Sequence, residues 1–448
     1  MSASTKDGEA VAPPGIRSGA LFEEEQRYIA PGLQSIALFS RLAMDRGEGA
    51  WLYDVDGRKY LDFMAGVGVA SVGHGHPRYA RMVAEQVAKV SAGSFTSRHR
   101  LDFLKKLSRV APEGLTRTQL YSSGAEAVEA AVRLAKSRTK KYEIVGFWGG
   151  FHGKTGGVLG VSGDKFKHGY GPLSPGLYLS PFPDPRRCPF GAKATHDCAA
   201  HSLEFLRELI RRSTSGAVAA LIVEPIQGTA GNIIPPPGFL RGLREIADEL
   251  GALLIADEMI TGFGRTGRWF AVEHEGVVPD VMTIGKGMGG GFPVSGIVAG
   301  DDVASSEPFA APSGSSSSYG GNPLAAAAAH AAILIMMEEN LVERAKTVGE
   351  ALLGRLREAA GRRPVIGDVW GRGLLIGVEL VDPRTGNPLS NSLCREIFEE
   401  CLKRGLLTMS YATPVRINPP LVIAHEEAIR GASIFEDALA SFSSKHGF

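Results

Sequence analysis

The sequence contains little cysteine, no excess of charge of either sign and no long apolar run. Its 448 residues include four cysteines, and 49 Lys+Arg against 48 Asp+Glu give a formal net charge of +1. So few cysteines do not make a disulfide scaffold, and balanced charge does not favour nucleic acid or an anionic membrane as a partner. No stretch reaches the roughly 18 apolar residues of a membrane-spanning helix, and the N-terminal stretch lacks the apolar core of a signal peptide. We therefore expect a soluble, cytoplasmic protein.

Three potential metal ligands, Cys188, His196 and Cys198, lie close together in the chain. Cysteine and histidine are the usual ligands of structural zinc, but such a site needs four ligands. Because no fourth ligand is apparent, the sequence predicts that the protein binds no metal.

The order of apolar and polar segments predicts a disordered tail over 1–20 and an N-terminal segment with a hairpin over 21–65. Short apolar strands alternate with helical stretches over 66–325, which indicates a large α/β domain with a mainly parallel sheet. Within it, 162–200 is rich in proline and glycine, and a loop of that length is typically functional or lies at an interface. A long helical segment, several strands and a final helix predict a smaller α+β domain over 326–448, with which the N-terminal segment packs.

A single lysine, Lys286, sits in the glycine-rich stretch TIGKGMGGGFP at 283–293. A Walker A loop is not supported, because Asp280 stands where its first glycine belongs and Gly287 where Ser or Thr belongs. G-x-G-x-x-G occurs here and again in GFGRTG at 262–267, but neither copy opens a helix in a first βαβ unit, as dinucleotide-binding loops do. For the loop taken alone, an ordinary structural turn remains an alternative.

Residues at other strand ends change this interpretation. The strand ALLIADE ends at Asp257, so Asp257 and Lys286 follow two successive strands, and ligands bind at that edge of open α/β sheets. Residues 123–125 fall at a strand-to-helix junction, where free N–H groups and the helix dipole suit a phosphate, although a simple serine N-cap is the alternative. Phe151 and His152 follow a further strand on the same edge.

Together these residues match the requirements of pyridoxal phosphate (PLP). A lysine amine forms a Schiff base with the cofactor aldehyde, and an aspartate opposite the pyridine nitrogen lets the ring accept electrons. An aromatic ring covers the cofactor, and a helix N-terminus holds its phosphate. We expect the glycines beside Lys286 to leave its side chain free to move, and partial burial to lower the pKa of its amine.

Several stretches resemble the class III (ω-) aminotransferases, a family of fold-type I PLP enzymes: YSSGAEAVEAAVRLAK, GFHGKTGG, IVEPIQG, LLIADEMITGFGRTGRWF and SSYGGNPLAAAAA. The resemblance covers roughly residues 40–440. It implies an α/β fold with a large αβα domain and a smaller α+β domain built from the C-terminal part and the N-terminal segment. It also implies a homodimer with shared active sites and a ping-pong exchange of amino groups between small amines and keto acids.

The matching positions imply roles for individual residues. Lys286 would be the covalent anchor and proton carrier, and Asp257 the partner of the pyridine nitrogen. Ser318 would reach the phosphate of the neighbouring subunit. The cofactor contacts implied in total are Ser123, Gly124, Ala125, Phe151, His152, Glu224, Asp257, Met259, Lys286 and Ser318.

Four positions bear on the substrate: Val67, Lys154, Thr229 and Arg416. Lys154 and Thr229 stand where γ-aminobutyrate-type members carry an arginine and a glutamate, and Ile260 replaces a frequent glutamine. Arg416 matches the arginine that binds the α-carboxylate of glutamate or alanine, the alternative being a surface strand residue. The resemblance thus implies an amino-acid donor and an acceptor such as an ω-amino acid, a diamine or an amino-sugar or secondary-metabolite carbonyl. Because Thr229 offers no carboxylate, we expect Arg416 to swing aside for neutral substrates.

Other reactions use the same residues. A decarboxylase, a racemase or epimerase and an aminomutase all need the lysine and the aspartate, so these PLP reactions remain alternatives. From other classes, a catalytically idle binding protein and a dinucleotide oxidoreductase are the rivals. The presence of both Lys286 and Asp257 argues against an idle copy.

Overall fold

A computed structural model describes residues 13–163, 166–191 and 197–448. Helices and strands alternate through most of it, as the apolar patterns predicted. In chain order the elements are α1 (Ile16–Glu25), α2 (Ser35–Ser40), β1 (Met44–Glu48), β2 (Trp51–Asp54), β3 (Lys59–Asp62), α3 (Ala65–Gly68), α4 (Pro77–Val87), α5 (Arg98–Val110), β4 (Arg117–Tyr121), α6 (Gly124–Thr139), β5 (Glu143–Phe147), β6 (Leu177–Ser180), α7 (Cys198–Ser213), β7 (Val218–Val223), α8 (Phe239–Leu250), β8 (Leu253–Asp257), β9 (Val281–Ile284), β10 (Ser295–Ala299), α9 (Asp301–Ala304), α10 (Pro323–Glu338), α11 (Leu341–Arg362), β11 (Ile366–Arg372), β12 (Leu375–Leu380), α12 (Asn391–Lys403), β13 (Leu406–Leu407), β14 (Val415–Ile417) and α13 (His425–His446).

The central sheet has seven strands in the order β4-β10-β9-β8-β7-β5-β6, and only β10 runs antiparallel to its neighbours. Alternate residues of its strands pack on opposite sides. Ile222 and Ile255 join a cluster with α6, whereas Leu221 and Leu254 join a cluster with α7 and α8. Helices thus cover both faces, which is why these strands are apolar throughout. This confirms the predicted large αβα domain.

The carboxyl edge of this sheet gathers the polar residues singled out in the sequence. β8 ends at Asp257, and β9 ends two residues before Lys286. β4 leads into Ser123 at the start of α6, and β5 leads into the segment that carries His152. Because these strands run in the same direction, their ends meet on one side of the domain.

Two smaller sheets involve the chain ends. β1, β2, β3 and β13 form one sheet, in which β13 from the C-terminal part runs parallel to β3. β11, β12 and β14 form the other, an antiparallel sheet against which α11 packs. The N-terminal hairpin and the C-terminal part therefore build the smaller α+β domain together, as the family resemblance implied.

The start of the described chain differs from the prediction. Residues 16–20, expected in a disordered tail, belong to α1, whereas residues 1–12 lie outside the described chain. The carboxylate of Asp56 accepts the backbone N–H groups of Arg17 at 3.0 Å and Ser18 at 2.8 Å. This cap comes from the turn between β2 and β3, so the residues of α1 themselves carry no signal for it.

The predicted loop at 162–200 contains the edge strand β6 and the first turn of α7. Cys188 and Cys198 form a disulfide, so these sulfur atoms are not metal ligands in this structure, and His196 lies outside the described residues. Within the described ranges, no group of three or more His, Cys, Asp or Glu side chains could hold a metal ion. No single helix there is long and apolar enough to cross a membrane; α10 and α11 reach that standard only as a pair bent by 64°.

Candidate active site

A cleft of about 550 Å³ opens at the carboxyl edge of the central sheet. Its lining brings together many of the residues predicted for the site. From that set it includes Gly124, Ala125, Phe151, His152, Lys154, Asp257, Met259 and Lys286, and the structure adds Val69, Ser122, Gly153, Gly291, Phe292, Pro293, Val294 and Ser295.

Asp257 lies at the bottom of the cleft and is held by three hydrogen-bond donors. Its Oδ1 accepts the hydroxyl of Thr283 at 2.9 Å and the N–H of Met259 at 3.1 Å, and its Oδ2 accepts Nδ1–H of His152 at 2.7 Å. Burial disfavours a charged imidazole, but the hydrogen bond to Asp257 and the charges of Asp257 and Glu224 raise the pKa of His152 above its ordinary value. The result is an oriented negative charge with a polarised imidazole beside it.

Lys286 faces this carboxylate from the loop after the neighbouring strand. Its φ of +42° lies in the left-handed region, which is sparsely populated for residues other than glycine and is a form of backbone strain that recurs at active sites. Burial lowers the pKa of its amine below the ordinary value, and the charge of Arg416 adds to that effect, while Asp257 and Glu224 oppose it. A lysine in this environment loses its proton more readily than one in water.

The glycines beside Lys286 do not leave the open space that was expected. A Cβ atom on Gly285 would come within 2.6 Å of Sδ of Met259, and one on Gly287 within 2.5 Å of Oγ of Ser71. A larger residue at either position would have to displace the Met259 thioether or the Ser71 hydroxyl, because these side chains pack directly on the backbone. Room for the lysine side chain comes from the cleft itself.

The start of α6 forms the end of the cleft that suits a phosphate. The hydroxyl of Ser123 accepts the N–H of Glu126 at 3.3 Å, so Ser123 is a helix N-cap. The N–H groups of Gly124 and Ala125 have no acceptor within the helix, because they belong to its first turn. The Ser123 side chain therefore caps the helix, and the next two residues line the cleft, where their role toward a phosphate stays a prediction.

Phe151 and Met259 supply apolar surface to the cleft. The Phe151 ring packs against Phe166 at 5.0 Å between centroids and an interplanar angle of 63°. The thioether of Met259 lies between Gly124 and Gly285, since a Cβ on Gly124 would come within 3.3 Å of its sulfur. These contacts fix the two side chains at the borders of the site.

Glu224 and Arg416 lie beside the cleft rather than in its lining. Oε1 of Glu224 accepts the N–H of Phe151 at 2.8 Å, and Oε2 accepts the N–H of Gly228 at 3.0 Å. Burial raises the pKa of Glu224, and burial lowers that of Arg416, whose guanidinium interacts with Glu224 and hydrogen-bonds Tyr411. The charges of Glu224 and Arg416 both act on Lys286, so a guanidinium cation and a carboxyl group lie near the amine.

Other predicted positions lie outside the cleft lining. Val67 adopts a left-handed backbone with φ of +67° and packs in a cluster with Tyr60 and Met64, whereas Val69, two residues on, lines the cleft. The sequence located the right stretch, but the run of left-handed residues from Ala65 to Gly68 could not be read from it. Thr229 lies in a turn beside the site without lining it.

Ser318 is exposed on this chain and lines none of the described clefts of the large domain. Ile260, by contrast, is buried against Gly68 and Gly228. Sequence reasoning missed Thr283 and Tyr411. Thr283 sits opposite Asp257 in the parallel pairing of β8 and β9, a register that only the assembled sheet reveals.

The residues present fit PLP. The cleft offers an amine with a lowered pKa at Lys286, an oriented carboxylate at Asp257, free helix N–H groups at Gly124 and Ala125, and an aromatic wall at Phe151. These are the groups that bind the aldehyde, the pyridine nitrogen, the phosphate and the ring of this cofactor.

Known proteins resemble this chain over most of its length. The family model for class III aminotransferases matches residues 35–439. Acetylornithine aminotransferase of Methanopyrus kandleri is 37% identical, with 88% of this chain and 93% of that protein covered. Alanine/serine racemase of Pyrococcus horikoshii is 36% identical, with 96% and 92% covered. The PLP-bound crystal structure of an amine transaminase from an uncultivated Pseudomonas species superposes with a TM-score of 0.86 at 30% identity, with 93% and 98% covered. The chain therefore belongs to the class III aminotransferases, and it is a PLP-dependent transaminase of fold type I.

Proposed function

We propose that this enzyme takes an amino group from an α-amino acid of the glutamate or alanine type and passes it to an aldehyde or ketone. The acceptor classes are the carbonyl compounds that become ω-amino acids, diamines, amino sugars or amine-bearing secondary metabolites when they receive the amino group. The main observation in support of this function is that Lys286 faces Asp257 in one cleft and that the charge of Arg416 also acts on Lys286. This arrangement supports a covalent anchor, an electron-sink partner and a carboxylate-binding cation within a single site.

When bound, PLP supplies an electron sink for the negative charge left at the substrate carbon. Asp257 provides the negative charge opposite the pyridine nitrogen, and His152 and Thr283 hold that carboxylate in place. Nζ of Lys286 acts as the base that takes the proton from the substrate carbon and returns it. A lowered pKa favours this role, because the amine must be neutral to accept a proton.

The remaining cofactor contacts divide between two ends of the cleft. Ser123, Gly124 and Ala125 would hold the phosphate through the start of α6. Phe151 and Met259 would enclose the ring, and their positions at the cleft border support this assignment. Glu224 holds the backbone at Phe151, which keeps that wall in place.

Arg416 binds the α-carboxylate of the amino-acid donor. Its partial burial and the absence of an acid at position 229, which is threonine, support a guanidinium available to an anionic substrate. Lys154 would meet the distal part of the acceptor, a role supported by its exposed position in the lining of the cleft.

A panel experiment tests this function. Purified enzyme loaded with PLP is mixed with one amine at a time, without acceptor, and conversion to pyridoxamine phosphate is followed by absorbance. We expect stoichiometric conversion by L-glutamate or L-alanine and by at least one ω-amino acid, diamine or amino sugar. Conversion by none of these amines would contradict the proposal.

Racemisation is the second candidate, because the alanine/serine racemase shares 36% identity across nearly the whole chain. Both reactions begin by removing the proton from the substrate carbon, and they differ in where the proton returns. Incubation with L-alanine in D2O without a keto acid separates them. Transamination yields pyruvate in an amount limited by the enzyme, whereas racemisation yields deuterated D-alanine through many turnovers.

We also propose that the enzyme is a homodimer in which Ser318 reaches the PLP phosphate of the neighbouring subunit. Ser318 is exposed, and exposed apolar side chains such as Phe95 and Tyr319 suggest a surface that association covers. Mixing Lys286→Ala and Ser318→Ala chains tests this, because their heterodimer then contains one site with both residues intact. Activity should reappear on mixing if Ser318 acts across the interface, and should not if it acts within its own chain.

Two further proposals concern organisation. The domain boundaries are taken at 21–65, 66–325 and 326–448.

The enzyme works in the cytoplasm. The buried free thiols of Cys394 and Cys401 suit that compartment, although the disulfide between Cys188 and Cys198 is more typical of an oxidising one. Cell fractionation with an antibody decides the location.

A further inference from the structure

Arg416 belongs to a row of residues on one face of the β11-β12-β14 sheet. In the strand register Trp370 lies opposite Gly377, and Gly377 lies opposite Arg416. This face meets a loop of the large domain: a Cβ on Gly377 would come within 2.5 Å of the carbonyl oxygen of Gly231, and one on Gly231 within 2.8 Å of Cγ of Pro414. The position of the Arg416 side chain therefore depends on how this sheet face packs against the large domain.

Trp370 occupies the contact between this sheet face and the large domain. Its indole lies across the neighbouring strand, because a Cβ on Gly377 would come within 2.4 Å of its Cε2 atom. Its Nε1–H donates to the carbonyl oxygen of Asn232 at 2.9 Å, and the side chain is buried. One ring thus touches the middle strand of the row and is tied to the large domain.

Arg186, in the segment between β6 and α7, stacks against the Trp370 ring. Its guanidinium carbon lies 3.7 Å from the centre of the Trp370 ring, and Asp184 lies 2.7 Å from its Nη2 atom. Burial lowers the pKa of Arg186, while Asp184, Asp368 and Glu379 oppose this. A cation stacked on an indole away from bulk water is a favourable contact that restrains both groups.

The next residue strengthens the same connection. Arg187 forms an ion pair with Glu379, which lies two residues from Gly377 on the same strand and so on the same face. Cys188 then attaches the segment to the first residue of α7. The segment therefore links the large domain to the sheet that carries Arg416.

We propose that Arg186 and Trp370 are positioning residues for substrate binding: their stack holds the β12–β14 face, and with it the Arg416 guanidinium, in register with the cleft. The inference rests on the proposed role of Arg416 as the site for the α-carboxylate. Loosening the stack lets β14 shift, so substrates with an α-carboxylate lose affinity while amines without one do not.

The test measures carboxylate binding separately from turnover. Arg186→Ala, Arg186→Lys and Trp370→Phe are compared with wild type. Arg207→Ala serves as the control, because it removes an arginine of α7 that pairs with Glu249 of α8, away from the row that contains Arg416. Calorimetry gives the Kd of 2-oxoglutarate and of pyruvate on the PLP-loaded enzyme. Kinetics give KM and kcat for the amino-acid donor and for 1-phenylethylamine, which has no carboxylate.

We expect Arg186→Ala and Trp370→Phe to raise the Kd of the bound keto acid and the KM of the donor by about three- to tenfold, between the effects of an exposed and of a fully desolvated cation–π contact. Turnover at saturation, the constants for 1-phenylethylamine and the PLP content should stay within about twofold, within the variation ordinarily seen for surface substitutions. Arg186→Lys should fall between, since lysine keeps the charge but not the planar stack. Arg207→Ala should match wild type.

Two results overturn the inference: unchanged keto-acid Kd in both variants, or equal losses for the donor and for 1-phenylethylamine, which indicate a general structural role. Arg416→Ala separates this from failure of the underlying function. If Arg416→Ala leaves the keto-acid Kd unchanged, the proposed role of Arg416 fails. If it raises the Kd while Arg186→Ala and Trp370→Phe do not, only the positioning role fails.

Discussion

Gly285→Ala is expected to weaken PLP binding through Met259. The added Cβ would lie 2.6 Å from the Met259 sulfur, where ordinary contact begins at 3.4 Å, so the sulfur must retreat by 0.8 Å, the difference of these two distances. Retreat toward α6 brings the sulfur against the backbone of Gly124, which lies so close that a Cβ on that residue would come within 3.3 Å of the sulfur. The thioether is therefore pushed into the cleft where the cofactor ring belongs. Overpacking of this kind costs about 1–3 kcal/mol, or roughly a 5- to 150-fold weaker Kd.

Titration of the apoprotein with PLP, followed by absorbance, gives this Kd. Gly354→Ala is the matched control, because a Cβ at that position in α11 meets nothing within 4 Å. Met259→Val in the Gly285→Ala background removes the displaced sulfur and should restore most of the affinity, with Met259→Val alone completing the cycle. Wild-type affinity in Gly285→Ala, or a double variant no better than Gly285→Ala, would refute the packing argument.

For three other substitutions the structure predicts the direction in which a pH dependence changes. The charge of Asp257 raises the pKa of Lys286, so Asp257→Asn should move the pH profile of PLP attachment to the apoprotein downward and severely reduce turnover. Arg416 lowers that pKa, so Arg416→Met should move the profile upward and weaken amino-acid binding by about 10- to 100-fold. Burial raises the pKa of Glu258 from 4.5 to about 7, so the folded state keeps a proton that the unfolded state loses between these values, and stability falls as pH rises through that window by up to about 3 kcal/mol. Glu258→Gln should remove this slope in urea unfolding at about pH 5 and about pH 8; equal slopes in both proteins would contradict it.

The parts of the site that the sequence predicted well depend on strand ends. Asp257 and Lys286 follow apolar strands that are buried on both faces, and such strands can be located from composition alone. The parallel order of the sheet then places both residues on one edge. The same logic located Gly124 and Phe151, which the structure also brings to the cleft.

The parts that were missed depend on contacts between distant segments. The cap on α1 comes from Asp56, and Trp370 meets Arg186 from a loop far earlier in the chain. The glycines beside Lys286 were expected to leave space, yet the thioether of Met259 packs directly on Gly285. The apolar periodicity of a segment does not indicate which side chain of a distant segment will pack against it.

Lys286 is the residue that we propose as the covalent anchor of PLP. Reduction of the PLP-loaded enzyme with borohydride, followed by proteolysis and mass spectrometry, locates the lysine that carries the cofactor. The pyridoxyl group should appear on the peptide containing Lys286 and on no other, and Lys286→Ala should carry none. A pyridoxyl group on a different lysine, with Lys286 unmodified, would contradict the account.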